Sequence, residues 1–445
     1  MYALFHTFGC KVNQYETQAM RRILEREGWR TGEYAEGSEA EDDCLVIVVN
    51  SCTVTGESDR KLKQFLRRIR REHPTAILVL TGCMPQAYPE VADSFAEADI
   101  VLGNTSRSSL PRQINRYLTI RQRIVEVSQH SGEFEPLSID EFQGRTRAFV
   151  KIEDGCDRFC SYCIIPYARG RVRSKPLKQL KAELETLAGR GFCEIVLVGI
   201  NLTAYGREWG GSVCDAVKLA SEVSGIRRVR LGSLEPDLIT PDIIEQLALT
   251  DKLCPQFHLS LQSGCADTLR RMNRRYTPDE YREAVETLRR HFPDCALTTD
   301  VMVGFPGEDE REFSQSLEFV QSIGFLRAHV FAYSPRPGTP AAKAPGQVSA
   351  AEKSRRSRIM AEACRKSRDR ELDKWIGRTA EVLVETGGES GYYEGYTPEY
   401  IPVKIKACGT KPPRKPGDIV FARITGHKDG VCEGEPADTQ VEGGA

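Results

Sequence analysis

"FVKIEDGCDRFCSYCIIP", residues 149–166, joins a strand-like run to three cysteines, Cys156, Cys160 and Cys163, set within eight positions. The run "FVKIE" (149–153) is the first of six. The others are "EIVLVGI" (194–200), "RRVRLGS" (227–233), "FHLSLQS" (257–263), "LTTDVMV" (297–303) and "AHVFAY" (328–333). Amphipathic patterns such as "PLKQLKAELETLAGRG" (176–191) and "PDEYREAVETLRRHF" (278–292) separate them. Six successive strand–helix units predict a partial (β/α)6 barrel, with its chemistry at the carboxyl ends of the strands. The cysteine loop follows the first strand and belongs to that face.

Upstream, strand-like runs at 2–8, 45–50, 76–81 and 99–102 alternate with helices starting near Asn13, Gly56 and Gln86. This is the pattern of a parallel, doubly wound sheet. Cys10, Cys52 and Cys83 each fall one to three residues past a strand, so the topology brings them to one sheet edge, where such folds bind ligands. Cys44, at the start of its strand, belongs to the opposite edge. Downstream, the proline- and glycine-rich "SPRPGTPAAKAPGQ" (334–347) leads into a basic helix over 350–375. Short β-runs from Ile376 onward then predict a small OB-like β-barrel. The fold class is therefore α/β and multidomain, with units at 1–125, 142–373 and 374–438.

The 63 acidic and 62 basic residues nearly cancel, so any nucleic-acid contact must come from local patches. The amino terminus lacks a signal-peptide pattern, and the longest aliphatic run, "CLVIVV" (44–49), is too short to span a bilayer. A cytoplasmic protein with no membrane partner is expected. Fifteen cysteines in a reducing compartment point to metal or redox use rather than a disulfide framework.

Three thiolates suit an iron–sulfur cluster or zinc. Zinc needs a fourth ligand, and residues 145–175 offer no histidine and no further cysteine. A three-thiolate 4Fe-4S cluster leaves one iron with an exchangeable position. The spacing C-x3-C-x2-C, with Tyr162 before the third cysteine, resembles the radical S-adenosylmethionine (SAM) enzymes. The resemblance implies that SAM, S-adenosyl-L-methionine, occupies the open iron and is cleaved to a 5′-deoxyadenosyl radical. It also implies cofactor contacts at strand ends: Asn201 in "VGIN", Ser233 and Glu235 in "GSLEPD", Gln262 and Ser263 in "LSLQSG", and Asp300 in "DVMVGFPGE".

"FGCKVNQYE" (8–16), "VVNSCTVT" (48–55) and "LTGCMPQ" (80–86) match in order the three-cysteine signature of methylthiotransferases. With "YARGRVRS" (167–174) and the terminal barrel, which resembles a TRAM domain, the likeness covers nearly the whole chain. It implies a second 4Fe-4S cluster on Cys10, Cys52 and Cys83, where a sulfur is bound and methylated. It also implies two SAM per turnover, a flavodoxin- or ferredoxin-like electron donor and an unidentified sulfur donor. "GCKVNQYE" and "QSGCADTLRRMNRRYT" (262–277) resemble the MtaB-type branch, which acts on N6-threonylcarbamoyladenosine at position 37 of a tRNA anticodon stem-loop. The isopentenyl-adenosine branch favours "GCQMNEYDS" and the ribosomal-protein branch "GCPKN".

RNA contact is expected from "RKLKQFLRRIRRE" (60–72), from Arg270, Arg271, Arg274 and Arg275, from the helix over 353–374 and from "KIKACGTKPPRK" (404–415). Tyr392, Tyr393, Tyr396 and Tyr400 are expected to stack on loop bases. Two readings from other classes stay open: a non-catalytic RNA-binding protein that carries clusters, and a zinc protein.

Overall fold

The computed structural model describes residues 1–35, 45–130, 132–387, 391–407 and 414–437. Cys44 lies outside them. The first 126 residues build a six-stranded sheet from β1 (Tyr2–Thr7), β2 (Arg30–Glu33), β3 (Leu45–Ser51), β4 (Ile77–Gly82), β5 (Ile100–Leu102) and β6 (Ile124–Glu126). The order is β2-β1-β3-β4-β5-β6 and every pairing is parallel. The edge strands β2 and β6 were not expected. "RTGE" is polar and "IVE" is only three residues long, so neither carries a hydrophobic signature.

Helices α1 (Lys11–Arg26), α2 (Gly56–Glu72), α3 (Cys83–Ala87) and α4 (Leu110–Ile120) flank this sheet. In β3, Leu45, Ile47 and Val49 pack with Leu62, Phe65 and Ile69 of α2. Val46 and Val48 turn to Met20 and Leu24 of α1 and to Leu110 and Ile114 of α4. Burial on both faces accounts for the unbroken aliphatic run. Helix α3 starts at Cys83 rather than near Gln86 and lasts one turn. Tyr88, held out of the helical region at φ −135° and ψ 68°, precedes Pro89, which disfavours helix in its neighbour.

The central unit holds β7 (Arg147–Lys151), β8 (Glu153–Asp154), β9 (Arg173–Ser174), β10 (Glu194–Val198), β11 (Arg228–Leu231), β12 (Ser233–Leu234), β13 (Gln256–Leu259), β14 (Ala296–Val303) and β15 (Arg327–Ala332). The third barrel strand is broken at Gly232: β11 joins the sheet β11-β10-β7, and β12 joins β12-β13-β14-β15. Strands β8 and β9 form a separate antiparallel pair under the cysteine loop. Outside lie α5 (Ile165–Arg169), α6 (Leu177–Gly189), α7 (Val213–Glu222), α8 (Pro241–Ala248), α9 (Ala266–Arg271), α10 (Pro278–His291) and α11 (Glu310–Ile323), with α12 (Ala350–Asp373) packed along β15. Strands β7 and β15 end their sheets without pairing to each other, so the barrel is open along one side.

The carboxy-terminal strands β16 (Thr379–Thr386), β17 (Tyr392–Tyr396), β18 (Pro402–Lys406), β19 (Ile419–Lys428) and β20 (Val431–Pro436) close a small barrel in the order β16-β17-β18-β20-β19. It docks on the amino-terminal ends of the central strands through arginines. Arg147 meets Glu385 at 2.7 Å, Arg228 meets Glu381 at 2.7 Å, and Arg230 donates to Pro398 O at 2.7 Å. Tyr396 and Tyr400 stack at 4.6 Å beneath the Arg147 guanidinium, and Tyr393 is buried. Stacking on RNA bases is thereby corrected for these three, whose rings serve the docking or the barrel core. Tyr392 alone of the four is exposed, with Lys404 over its ring.

Candidate active site

Each cysteine of the amino-terminal triad follows one of three adjacent strands, β1, β3 and β4. Gly9, at φ +109°, brings the first loop against the second: a Cβ there would lie 2.8 Å from Cys52 Cβ. Gly82, at φ +102°, allows the third loop to cross Ser51 and Asn50, where a side chain would meet backbone. Buried amides fix the strand ends. Asn13 Nδ2 donates to Ser51 O at 3.1 Å, and Asn50 Nδ2 donates to Asn13 O at 2.9 Å. Cys10 Sγ donates to Asn13 Oδ1 at 3.3 Å. Burial, reinforced by the nearby Cys83 thiol, pushes the Cys52 thiol up to about 12.

Cys156, Cys160 and Cys163 sit on the loop between β8 and α5. Backbone bonds hold that loop at both ends and in the middle: Cys156 N–H donates to Gly170 O and Cys163 N–H to Cys160 O, each at 2.9 Å, and Ser161 N–H to Met272 O at 3.0 Å. Burial raises the Cys156 thiol, and burial with the neighbouring Cys160 pushes Cys163 up to about 12. All six thiols are free. Two sets of three soft, unpaired thiols fit iron–sulfur groups, whose binding must displace the thiol protons.

Arg274 was expected to contact RNA, and this is corrected. Its side chain is 4% exposed and bonds Glu235 at 2.7 Å, while Nη1 lies 3.4 Å from Cys160 Sγ. Opposite charge within the fold accounts for it, as for most of the other basic stretches. Arg271 pairs with Glu312, Arg355 with Glu310 and Glu352, Arg356 with Glu308, and Arg70 with Asp99. The segment 408–413 of the fourth stretch lies outside the described residues.

A cavity of about 190 Å³ adjoins Cys163 of the second triad and the residues that follow Cys52 of the first. Val54 and Thr55, just past Cys52, form one wall, and Tyr162, Cys163, Gln262, Asp300, Met302 and Phe331 line the rest. Gln262 adopts φ +65° and bridges to β14, donating its N–H to Asp300 O at 2.8 Å. Glu235 is taken up by Arg274. Ser233, the first residue of β12, is exposed. Asn201 is 3% exposed, its N–H donating to Glu153 Oε2 at 2.7 Å. Ser263 is fully buried and its hydroxyl accepts from Cys265 N–H at 3.2 Å, so it braces the loop away from the cavity.

A buried ionic cluster joins the two triads. Glu16 Oε1 receives Arg169 Nη1 at 2.7 Å, Lys151 Nζ at 2.9 Å and Arg107 Nη1 at 3.0 Å. Asp154, two residues before Cys156, receives Arg169 at 3.0 Å and Lys151 at 3.0 Å. Burial pushes the Glu16 carboxyl up, but Arg107, Arg169 and Lys151 outweigh it and hold it at about 2. Arg169 also lies in the field of Cys83. Sequence reading quoted Arg169 within "YARGRVRS" without giving it a role. The signal was there, since a charge in a stretch bounded by Pro166 and Gly170, just after the cysteine loop, must find partners once buried. Arg336 of the proline-rich connector adds a second seam, donating to Thr53 Oγ1 and Asp59 Oδ2 at 2.6 Å each.

Residues 150–320 match the Radical SAM superfamily, and residues 2–103 match the uncharacterised protein family UPF0004. The chain is 38% identical to the threonylcarbamoyladenosine tRNA methylthiotransferase MtaB of Thermotoga maritima, over 89% of both chains. It is 35% identical to the protein of the same name from Bacillus subtilis, over 90% of both. The tRNA-2-methylthio-N(6)-dimethylallyladenosine synthase of Clostridium novyi is 34% identical over 85% of this chain and 84% of its own. Among solved structures, the radical S-adenosylmethionine methyltransferase TsrM of Kitasatospora setae shares the fold, with a TM-score of 0.57 over 77% of this chain and 75% of that one, at 13% identity. On the strength of full-length relatives well above 30% identity, the chain belongs to the radical SAM methylthiotransferase family.

Proposed function

We propose that the protein transfers a methylthio group to carbon 2 of N6-threonylcarbamoyladenosine at position 37 of tRNA. The observation that carries the reading is the cavity that Cys163 lines together with Val54 and Thr55, the residues just past Cys52. A base placed there touches the neighbourhood of both triads, which a transfer between two centres requires. The relatives named for threonylcarbamoyladenosine are 35–38% identical, against 33–34% for those named for dimethylallyladenosine.

Cys156, Cys160 and Cys163 would hold one 4Fe-4S cluster, with SAM as its further ligand, and Cys10, Cys52 and Cys83 the second. When bound, these groups supply the electron, the radical and the sulfur that replacement of an unactivated C–H bond needs. The chain's own residues do the rest. Arg274, clamped by Glu235, sets a positive charge beside Cys160. Tyr162, Met302 and Phe331 give the cavity apolar walls that keep water from a reactive species. Asp300 and Gln262 offer the acceptors that a ribose would meet.

The units 1–125, 142–373 and 374–438 then divide the labour into sulfur carrier, radical core and RNA-facing module. The last is an OB-like TRAM barrel, a reading that rests on its five-stranded order with β18 and β20 parallel. Among the described residues no helix is long and apolar enough to cross a membrane, in keeping with a cytoplasmic enzyme served by a flavodoxin- or ferredoxin-like reductant.

The test is anaerobic turnover with SAM and reductant on two anticodon stem-loops, one carrying threonylcarbamoyl-adenosine and one isopentenyl-adenosine. Mass spectrometry of the digested nucleosides should find the methylthio product from the first alone. Product from the second alone would keep the chemistry and overturn the substrate.

A further inference from the structure

Strand β15 forms one lip of the barrel's open side, and its residues alternate. Ala328 and Val330 pack into the core, so Arg327, His329 and Phe331 face the lumen, and all three are exposed. Register ties them in layers to β14. Phe331 pairs with Met302 in the cavity wall, His329 with Asp300 one step down, and Arg327 with Thr298 a step lower, about 13 Å of strand from Phe331. The other lip is β7, against which α1 packs.

Lys11, the first residue of α1, projects to this opening. Its ammonium lies 5.9 Å from the Phe149 ring centroid of β7, and Arg147, Arg230 and Arg327 all lie within reach of its charge, as does His329. The cations around it differ in one respect. Arg147 is neutralised by Glu385 and Arg230 by Glu194. Lys11 and Arg327 have no carboxylate within 4 Å among the described residues, and both are exposed. Lys11 also stands at a helix amino terminus whose first turn carries no acidic residue, against the preference of the helix dipole. The open side of the barrel next to the cavity thus carries two cations without a paired carboxylate, which favours an anion there.

We infer that Lys11 and Arg327 bind the carboxylate of the threonylcarbamoyl arm, and so set the enzyme's choice between an anionic and an apolar N6 substituent. The inference rests on the function proposed above. With adenine in the cavity, the arm on N6 runs down the lumen face of β15 past His329, and its carboxylate meets the two free cations. An isopentenyl arm leaves the pair of charges unmatched, and rejection follows from desolvating them without a partner.

The experiment compares three stem-loops that differ only at N6: threonylcarbamoyl, its methyl ester, and isopentenyl. Steady-state kcat/KM and RNA affinity are measured for the wild type, Lys11→Gln and Arg327→Gln, with circular dichroism and iron content as checks on folding and loading. The wild type should prefer the acid over its ester, and each variant should shrink that preference roughly tenfold, the size of one charge-assisted hydrogen bond. Arg327→Lys should restore part of it. A variant that weakens acid and ester equally would mean the cations bind RNA phosphate, which overturns the inference while leaving the proposed function intact. A wild type that modifies only the isopentenyl substrate overturns both.

Discussion

Cys156, Cys160 and Cys163 share one loop, whereas Cys10, Cys52 and Cys83 are spread over more than seventy positions and meet only because β1, β3 and β4 are neighbours in one sheet. The first triad is tied mainly by bonds of its own and adjoining loops, from Gly170 and Met272. The second needs strand ends, two left-handed glycines and the Asn13–Asn50 exchange to be in place together. The difference teaches that a metal-binding pattern can be written locally or topologically. Cys163 and the segment just past Cys52 line one cavity, and a buried ionic cluster locks the two units to each other.

The sharpest way to break the comparison is to remove one thiol from each side. Replacing any of the six cysteines by alanine should abolish methylthiolation, but the two triads should fail differently. Variants at Cys156, Cys160 or Cys163 should lose reductive SAM cleavage as well. Variants at Cys10, Cys52 or Cys83 should retain cleavage and lose half of the iron. Iron analysis and quantitation of 5′-deoxyadenosine on the same anaerobic samples check this. A single-side variant that lost all iron would show that the two sites do not load independently.

The lock itself should respond to Arg169→Leu. Glu16 would keep Lys151 and Arg107, and Asp154 would keep Lys151 and Arg173, so a fully buried charge pattern loses one of the two cations that bridge its carboxylates. Breaking a buried pair from one side costs about 3–5 kcal/mol, because the remaining charge stays desolvated. Thermal unfolding should show the lowered stability. A double variant, Arg169→Leu with Glu16→Gln, should recover none of it, because Arg107 and Lys151 still need the Glu16 carboxylate. No loss in the single variant would mean that the two units are not coupled through this cluster.

The same contrast explains what could be read before the fold was known. The six-unit barrel and the parallel sheet were legible because each strand carries its own hydrophobic period. So was the placing of the cysteines after strands, since that is a property of chain order. The edge strand Arg30–Glu33 carries no such period and was missed. The roles of Arg274 and the tyrosines were misassigned for a common reason. Composition marks a residue as basic or aromatic, but Glu235 and Arg147, which decide where those side chains point, are 39 and more than 240 positions away. Long-range charge pairing has no local period, so Arg169 and Glu16, 153 positions apart, stayed silent.

Acid should separate two contributions to the seam. His130 lies against Gly170 and Arg173, and burial together with the Arg173 charge lowers it to about 4 from 6.5. Glu16 is held at about 2 against 4.5. Both folded-state values are depressed, so both contributions are complete above the unfolded values and fade as pH falls. The windows differ: His130 acts from pH 6.5 down to about 4, and Glu16 from 4.5 down to about 2. Since His130 is partly exposed, its share is discounted to about 1–2 kcal/mol. Melting temperatures across pH 7 to 4 should therefore decline in the wild type, and His130→Gln should flatten that stretch while the steeper loss below pH 4.5 persists. An unchanged slope between pH 6.5 and 4.5 in the variant would assign the decline to some other group and remove His130 from the seam.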